Sequence, residues 1–97
     1  MSKLKSDAVD RLFRAILLLE SEEECYAFFE DICTITEVKD MAQRLETAIL
    51  IDRGVSYQKI SDRIGVSTAT ISRVSKCLNY GAGGYQSMLK KLGEDRE

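Results

Sequence analysis

Thr68, Ala69, Thr70, Ser72, Arg73 and Lys76 fall within nine residues and are small, hydroxylated or cationic. Short side chains let a helix approach base edges closely. Threonine and alanine methyls touch a thymine methyl, and hydroxyls donate or accept at the groove edge. Arg73 and Lys76 suit either a base or a phosphate. Ser67, just ahead of them, is a natural N-cap, and the free N–H groups behind such a cap suit a phosphate. Ser56, Tyr57, Gln58 and Lys59 open the preceding amphipathic segment. In a helix pair joined by a tight turn, that segment crosses the DNA backbone. Thr68, Ala69, Thr70, Ser72, Arg73 and Lys76 are therefore assigned to base reading, and Ser56, Tyr57, Gln58, Lys59 and Ser67 to phosphate anchoring.

Other chemistry finds little support. The chain has no histidine, so its serines and cysteines lack the usual base for nucleophilic catalysis. Cys25, Cys33 and Cys77 match no metal or redox spacing and are expected to be free, reduced and mostly buried thiols. Glu22, Glu23 and Glu24 occupy a helix first turn, where acids favour the dipole. Gly81-Ala82-Gly83-Gly84 follows no strand and precedes no Gly-Lys-Ser/Thr, so it reads as a hinge rather than a phosphate cradle. Phe28 and Phe29 read as core or dimer interface. An enzyme, a cofactor and a metal site are not expected.

The net charge of −2 conceals a division. Residues 1–55 hold 7 basic against 12 acidic residues, whereas residues 56–92 hold 6 basic against 1 acidic. A basic segment inside an acidic chain is a polyanion footprint. No apolar run has the length of a membrane span or the flanks of a signal peptide, so a cytoplasmic protein is expected.

The elements that must position these residues are helices, because no alternating apolar–polar run argues for a strand. Val9, Leu12, Phe13, Ile16 and Leu17 mark a helix over residues 7–20. Ser21 and Glu24 have capping-box spacing ahead of a helix over 22–32 that carries Cys25, Phe28, Phe29 and Ile32. Thr34 or Thr36 caps a third helix. Its expected buried stripe is Val38, Met41, Ala42, Leu45, Ala48 and Ile49, and Arg53-Gly54 ends it. Ser56 caps a fourth with Ile60 and Ile64 inward. Gly65 makes the turn, Val66 plugs the angle, Ser61 supplies a small residue at the crossing, and Ser67 starts a fifth helix anchored by Ile71, Val74 and Leu78. A last helix carries Met88, Leu89 and Leu92. The expected fold is all-α with about six helices and a helix-turn-helix. It is read as one domain over 1–97: dimerisation helices in 7–54, the helix-turn-helix in 56–79 and a C-terminal helix in 80–92. The first two helices carry more large apolar residues than a chain of 97 can cover, which predicts a homodimer.

Arg53-Gly54, the stretch "SYQKISDRIGVSTATISRVSKCL" and the upstream "TITEVKDMAQRLETAILI" together resemble the Trp repressor family, in particular its YerC/YecD-like branch. The likeness runs from about Leu12 to Leu92. It implies an intertwined homodimer with two reading heads about one DNA turn apart, ~34 Å, on a pseudo-palindromic operator. It also implies an effector pocket. In tryptophan-sensing members two arginines sandwich the indole beside a threonine, and the matching residues here are Arg44, Arg73 and Thr34. Val74 stands where the sensors have a small residue, Cys77 stands where they have a serine, and the turn before the first reading-head helix looks one residue shorter. Tryptophan is therefore not expected as a co-repressor. The resulting expectation is a dimeric repressor that blocks its operator on double-stranded DNA. The alternative is a helical protein–protein interaction module without DNA binding; the arm of a recombinase would need a catalytic domain.

Overall fold

Serines start four of the six helices found among the described residues. The hydroxyl oxygens of Ser6, Ser21, Ser56 and Ser67 accept the N–H groups of Val9, Glu24, Lys59 and Thr70, satisfying donors that a helix start otherwise leaves orphaned. The protein is a computed structural model that describes residues 2–95. Its elements are α1 (Asp7–Leu17), α2 (Glu22–Ile32), α3 (Ile35–Asp52), α4 (Tyr57–Ile64), α5 (Thr68–Tyr80) and α6 (Gly84–Asp95), and none of the described residues forms a strand. Met1, Arg96 and Glu97, included in the single domain expected from the sequence, lie outside the described residues. None of the helices described is long and apolar enough to cross a membrane.

Backbone contacts divide the chain into two units that meet between Ile35 and Thr36. The first holds α1 and α2. Helix α1 ends earlier than the periodicity predicts, because Leu18 and Leu19 donate to Ala15 and Ile16, three residues back, which tightens and closes the last turn. At the start of α2 the expected capping box is shifted by one residue. Glu24 Oε1 accepts the N–H of Glu20 at 3.0 Å instead of that of Ser21. Phe28 and Phe29 meet edge to face with ring centroids 5.6 Å apart. No side chain of α1 or α2 is buried: Leu17 is 82% exposed and Tyr26 70%.

The second unit contains the core. Ile60 and Ile71 are wholly buried and pack with Leu50 and Val66, and Ile51, Val55 and Ile64 close around them. Helix α3 contributes through its C-terminal half. Thr47, Ala48 and Leu50 are buried there, whereas Val38, Leu45 and Ile49 are half-buried and Met41 and Ala42 are exposed. The stripe expected along all of α3 is thus covered within this chain only near its end. Thr47 escaped the apolar pattern because its hydroxyl is satisfied inside the helix, donating to the Gln43 carbonyl at 2.7 Å.

Two turns aim α4 and α5. Gly54 takes φ +80, so the Val55 N–H reaches the Leu50 carbonyl at 3.0 Å and the Gly54 N–H reaches that of Ile51, folding Val55 back onto the core. Gly65 takes φ +84 and donates to the Ser61 carbonyl at 2.8 Å, and Val66 plugs in behind it. Ser61 is more than a small residue, since its hydroxyl donates to the Val66 carbonyl at 2.9 Å and fastens the turn to α4. Helix α5 packs on α4 and α6 and extends one residue past its predicted end, to Tyr80. Helix α6 runs from Gly84 to Asp95, later than the 80–92 expected, because Gly81, Ala82 and Gly83 form a separate turn.

Replacing Ile71 by alanine should lower stability by about 2–5 kcal/mol, the cost of an uncollapsed cavity, whereas Ser72→Ala should change it by less than about 0.5 kcal/mol. Urea unfolding followed by circular dichroism measures both.

Candidate nucleic-acid interface and the adjoining cleft

A helix turns about 100° per residue. On α5 that places Ile71, Val74 and Leu78 within about 60° of one another, and all three are buried. Ala69, Arg73 and Lys76 fall on the opposite side, flanked by Ser72 and Thr68, and all five are exposed. Neither Arg73 nor Lys76 has a carboxylate partner among the described residues, so both cations stand unneutralised on this ridge. Thr70 lies at its margin and is half-buried, and its hydroxyl accepts from Ser67 Oγ at 3.1 Å. Of the six residues assigned to base reading it is the least available.

Ser67 uses its oxygen on the Thr70 N–H at 3.1 Å. The N–H groups of Thr68 and Ala69 are left without an acceptor among the described residues, an anion-attracting helix start beside the ridge. The start of α4 repeats the arrangement. Ser56 Oγ accepts the Lys59 N–H at 3.3 Å, and Ser56, Tyr57, Gln58 and Lys59 are all exposed. Gln58 spends its amide on Asp62 at 3.0 Å, and Lys59 supplies the positive charge of this turn.

Behind the ridge lies an open cleft of about 470 Å³. It brings together Arg44 and Arg73, the two arginines of the expected effector pocket, and Val74 and Cys77 also form its wall. Val74 is buried there, so its β-branched side chain takes up space at the wall. Thr34, the third residue of that set, belongs to the first unit, immediately ahead of α3. Asp40, Gln43 and Tyr85 line the cleft as well and were not anticipated. Asp40 and Gln43 share the face of Arg44 by helical spacing, a signal that was legible; Arg44 Nε donates to the Asp40 carbonyl at 3.3 Å. Tyr85 comes from α6 across the glycine turn, and no local pattern announces it.

The cysteines are free but not mostly buried as expected: Cys25 and Cys77 are exposed and Cys33 half-buried. Cys25 lies within α2 and Cys33 caps its end, on a helix that buries nothing in this chain, and Cys77 faces the cleft. Among the described residues no group of histidine, cysteine or acidic side chains is arranged to hold a metal ion.

The sequence pattern of the Trp repressor protein family matches residues 7–93. The uncharacterized protein YerC of Bacillus subtilis (strain 168) is 49% identical over 94 residues, covering 97% of this chain and 90% of that one. A TrpR-like protein from Eubacterium eligens ATCC 27750 superposes with a TM-score of 0.91 at 48% identity, over 94% of each chain. A candidate Trp repressor from Staphylococcus aureus superposes at 0.89 with 46% identity, over 94% of this chain and 91% of its own. With the match spanning the unburied helices, the core and the exposed ridge of α5 alike, this chain belongs to the Trp repressor protein family.

Proposed function

We propose that this chain is a sequence-specific DNA-binding transcriptional regulator that works as a homodimer, with α4 and α5 as a helix-turn-helix and α5 entering the major groove. The observation that carries this reading is the two-sidedness of α5. Its apolar residues are buried in the core, and its small, hydroxylated and cationic residues are exposed with their charge unpaired. Thr68, Ala69, Ser72, Arg73 and Lys76 read bases, with Thr70 at the edge of the contact. Ser56, Tyr57, Gln58, Lys59 and Ser67 hold phosphates. Membership of the family supports a regulator. Occupation of an operator, which excludes other proteins from it, is the simplest way for so small a reading unit to repress.

The dimer rests on a separate observation. Phe13, Leu17, Leu18, Tyr26, Ile32 and Ile35 are exposed large apolar residues concentrated in the first unit. Apolar surface in that amount marks an interface. A second copy related by a twofold axis gives a self-complementary contact and two reading heads. Their separation of about one DNA turn, ~34 Å, calls for a pseudo-palindromic operator.

The cleft between α3, α5 and α6 is the place for a small-molecule effector, since Arg73 belongs both to it and to the ridge. Val74 and Cys77 narrow it and remove a hydroxyl, so tryptophan is not the effector in this reading.

Selection of bound duplexes from a random pool should yield two inverted half-sites centred about 10 base pairs apart. Arg73→Ala should cost about 1–3 kcal/mol of binding, and Lys76→Ala should lower the slope of affinity against salt by about one. No enrichment and no shift of genomic DNA at low salt would leave a helical interaction module instead. Leu17→Asp should convert the wild-type dimer to a single-chain species in sedimentation; a wild-type protein that already sediments as one chain removes the dimer. Titration calorimetry with tryptophan should show no heat while the same sample retains DNA binding; a saturable heat would restore tryptophan as effector.

A further inference from the structure

Tyr80 is the last residue of α5, and it is 86% exposed. Counted at 100° per residue, it returns to within about 60° of Ala69, Arg73 and Lys76, one turn beyond Lys76 and opposite Ile71, Val74 and Leu78. It therefore extends the same ridge instead of joining the core. Its phenol hydroxyl has no hydrogen-bond partner among the described residues.

The turn that carries it is held firmly. The Gly81 N–H donates to the Cys77 carbonyl at 2.8 Å, closing the helix, and Gln86 Nε2 from α6 donates to the Leu78 carbonyl at 2.7 Å. These bonds satisfy carbonyls that a helix end otherwise leaves open, and they keep the final turn helical with Tyr80 outward. At 1.5 Å per residue, Ala69 and Tyr80 are about 17 Å apart along the axis, more than the ~12 Å width of the major groove. A helix that crosses the groove with its N-terminal residues at the base edges therefore carries its last turn out of the groove floor, toward the sugar–phosphate wall.

We propose that Tyr80 is a further DNA-contacting residue, its hydroxyl donating to a phosphate oxygen on the wall of the groove that α5 enters. The inference rests on the proposed reading of α5 as the recognition helix, and it adds a contact that the charge pattern does not reveal, because tyrosine carries none. A neutral donor to phosphate contributes affinity without sequence information and without releasing a counterion.

The test compares wild type, Tyr80→Phe, Tyr80→Ala and Lys76→Ala on a pool-selected duplex and on an unrelated duplex of equal length, across a salt series. Tyr80→Phe should weaken binding about three- to tenfold on both duplexes with an unchanged salt slope, and Tyr80→Ala at least as much, whereas Lys76→Ala should reduce the slope by about one. So exposed a residue should leave thermal unfolding at its wild-type midpoint in both tyrosine variants. Wild type that binds while both tyrosine variants bind equally well overturns this inference and leaves the recognition helix standing. A loss with Tyr80→Ala but none with Tyr80→Phe also overturns it, since the hydroxyl then does nothing. Dissociation of the dimer in Tyr80→Ala, with affinity per dimer unchanged, assigns the residue to the subunit contact and overturns it likewise. A wild type that binds neither duplex brings down the proposed function itself.

Discussion

The knot of Ile60, Ile71, Leu50 and Val66 is the contact on which the second unit depends. Each comes from a different piece of chain: α4, α5, the end of α3 and the turn between α4 and α5. Helix α4, with 8 residues, and α5, with 13, are too short to be stable alone, because isolated helices under about 12–15 residues are marginal in water. Burial of one residue from each supplies the reason for all to form together. It also sets the roll of α5 about its axis. With Ile71, Val74 and Leu78 drawn into the core, the side of Ala69, Arg73 and Lys76 has no choice but to face outward.

Around that knot, polar groups are used to hold turns at fixed angles. Ser61 ties its helix to the carbonyl of Val66, Val55 reaches back to Leu50, and Gln86 secures the end of α5 from α6. Each bond satisfies a backbone group at a turn or helix end, and each lies beside an element that the proposed function needs rigid. Positioning is what a reading head requires, since base contacts discriminate only when the helix is held in register with the groove. The cleft behind the ridge has Arg73 in common with it and reaches Thr70 at its margin.

The first unit obeys a different logic. Its helices are capped as firmly as the others, yet they bury nothing in this chain. Amphipathic helices draw most of their stability from the face they cover. Helices rich in Phe13, Leu17, Tyr26 and Ile32 that remain uncovered call for a second surface, and the proposed twofold partner supplies one.

What the sequence determined by itself is local. Serine caps with N–H groups three residues on, glycines at Gly54 and Gly65 that accept positive φ, and apolar spacing at 3.6 residues are written in short windows. The helix count, the starts of α2, α4 and α5 and the sidedness of α5 were therefore legible. The family, too, was carried by contiguous residues. Tertiary structure alone decided which half of α3 is buried, that Thr47 and not Met41 belongs inside, and that Cys77 opens onto a cleft. The resemblance had already paired Arg44 with Arg73, but tertiary structure alone brought Tyr85 from α6 to their wall. The physical reason is the same in each case. A periodic pattern says that a face is apolar, but burial depends on which surface arrives to cover it, and that surface comes from chain too distant in sequence for any local spacing to encode.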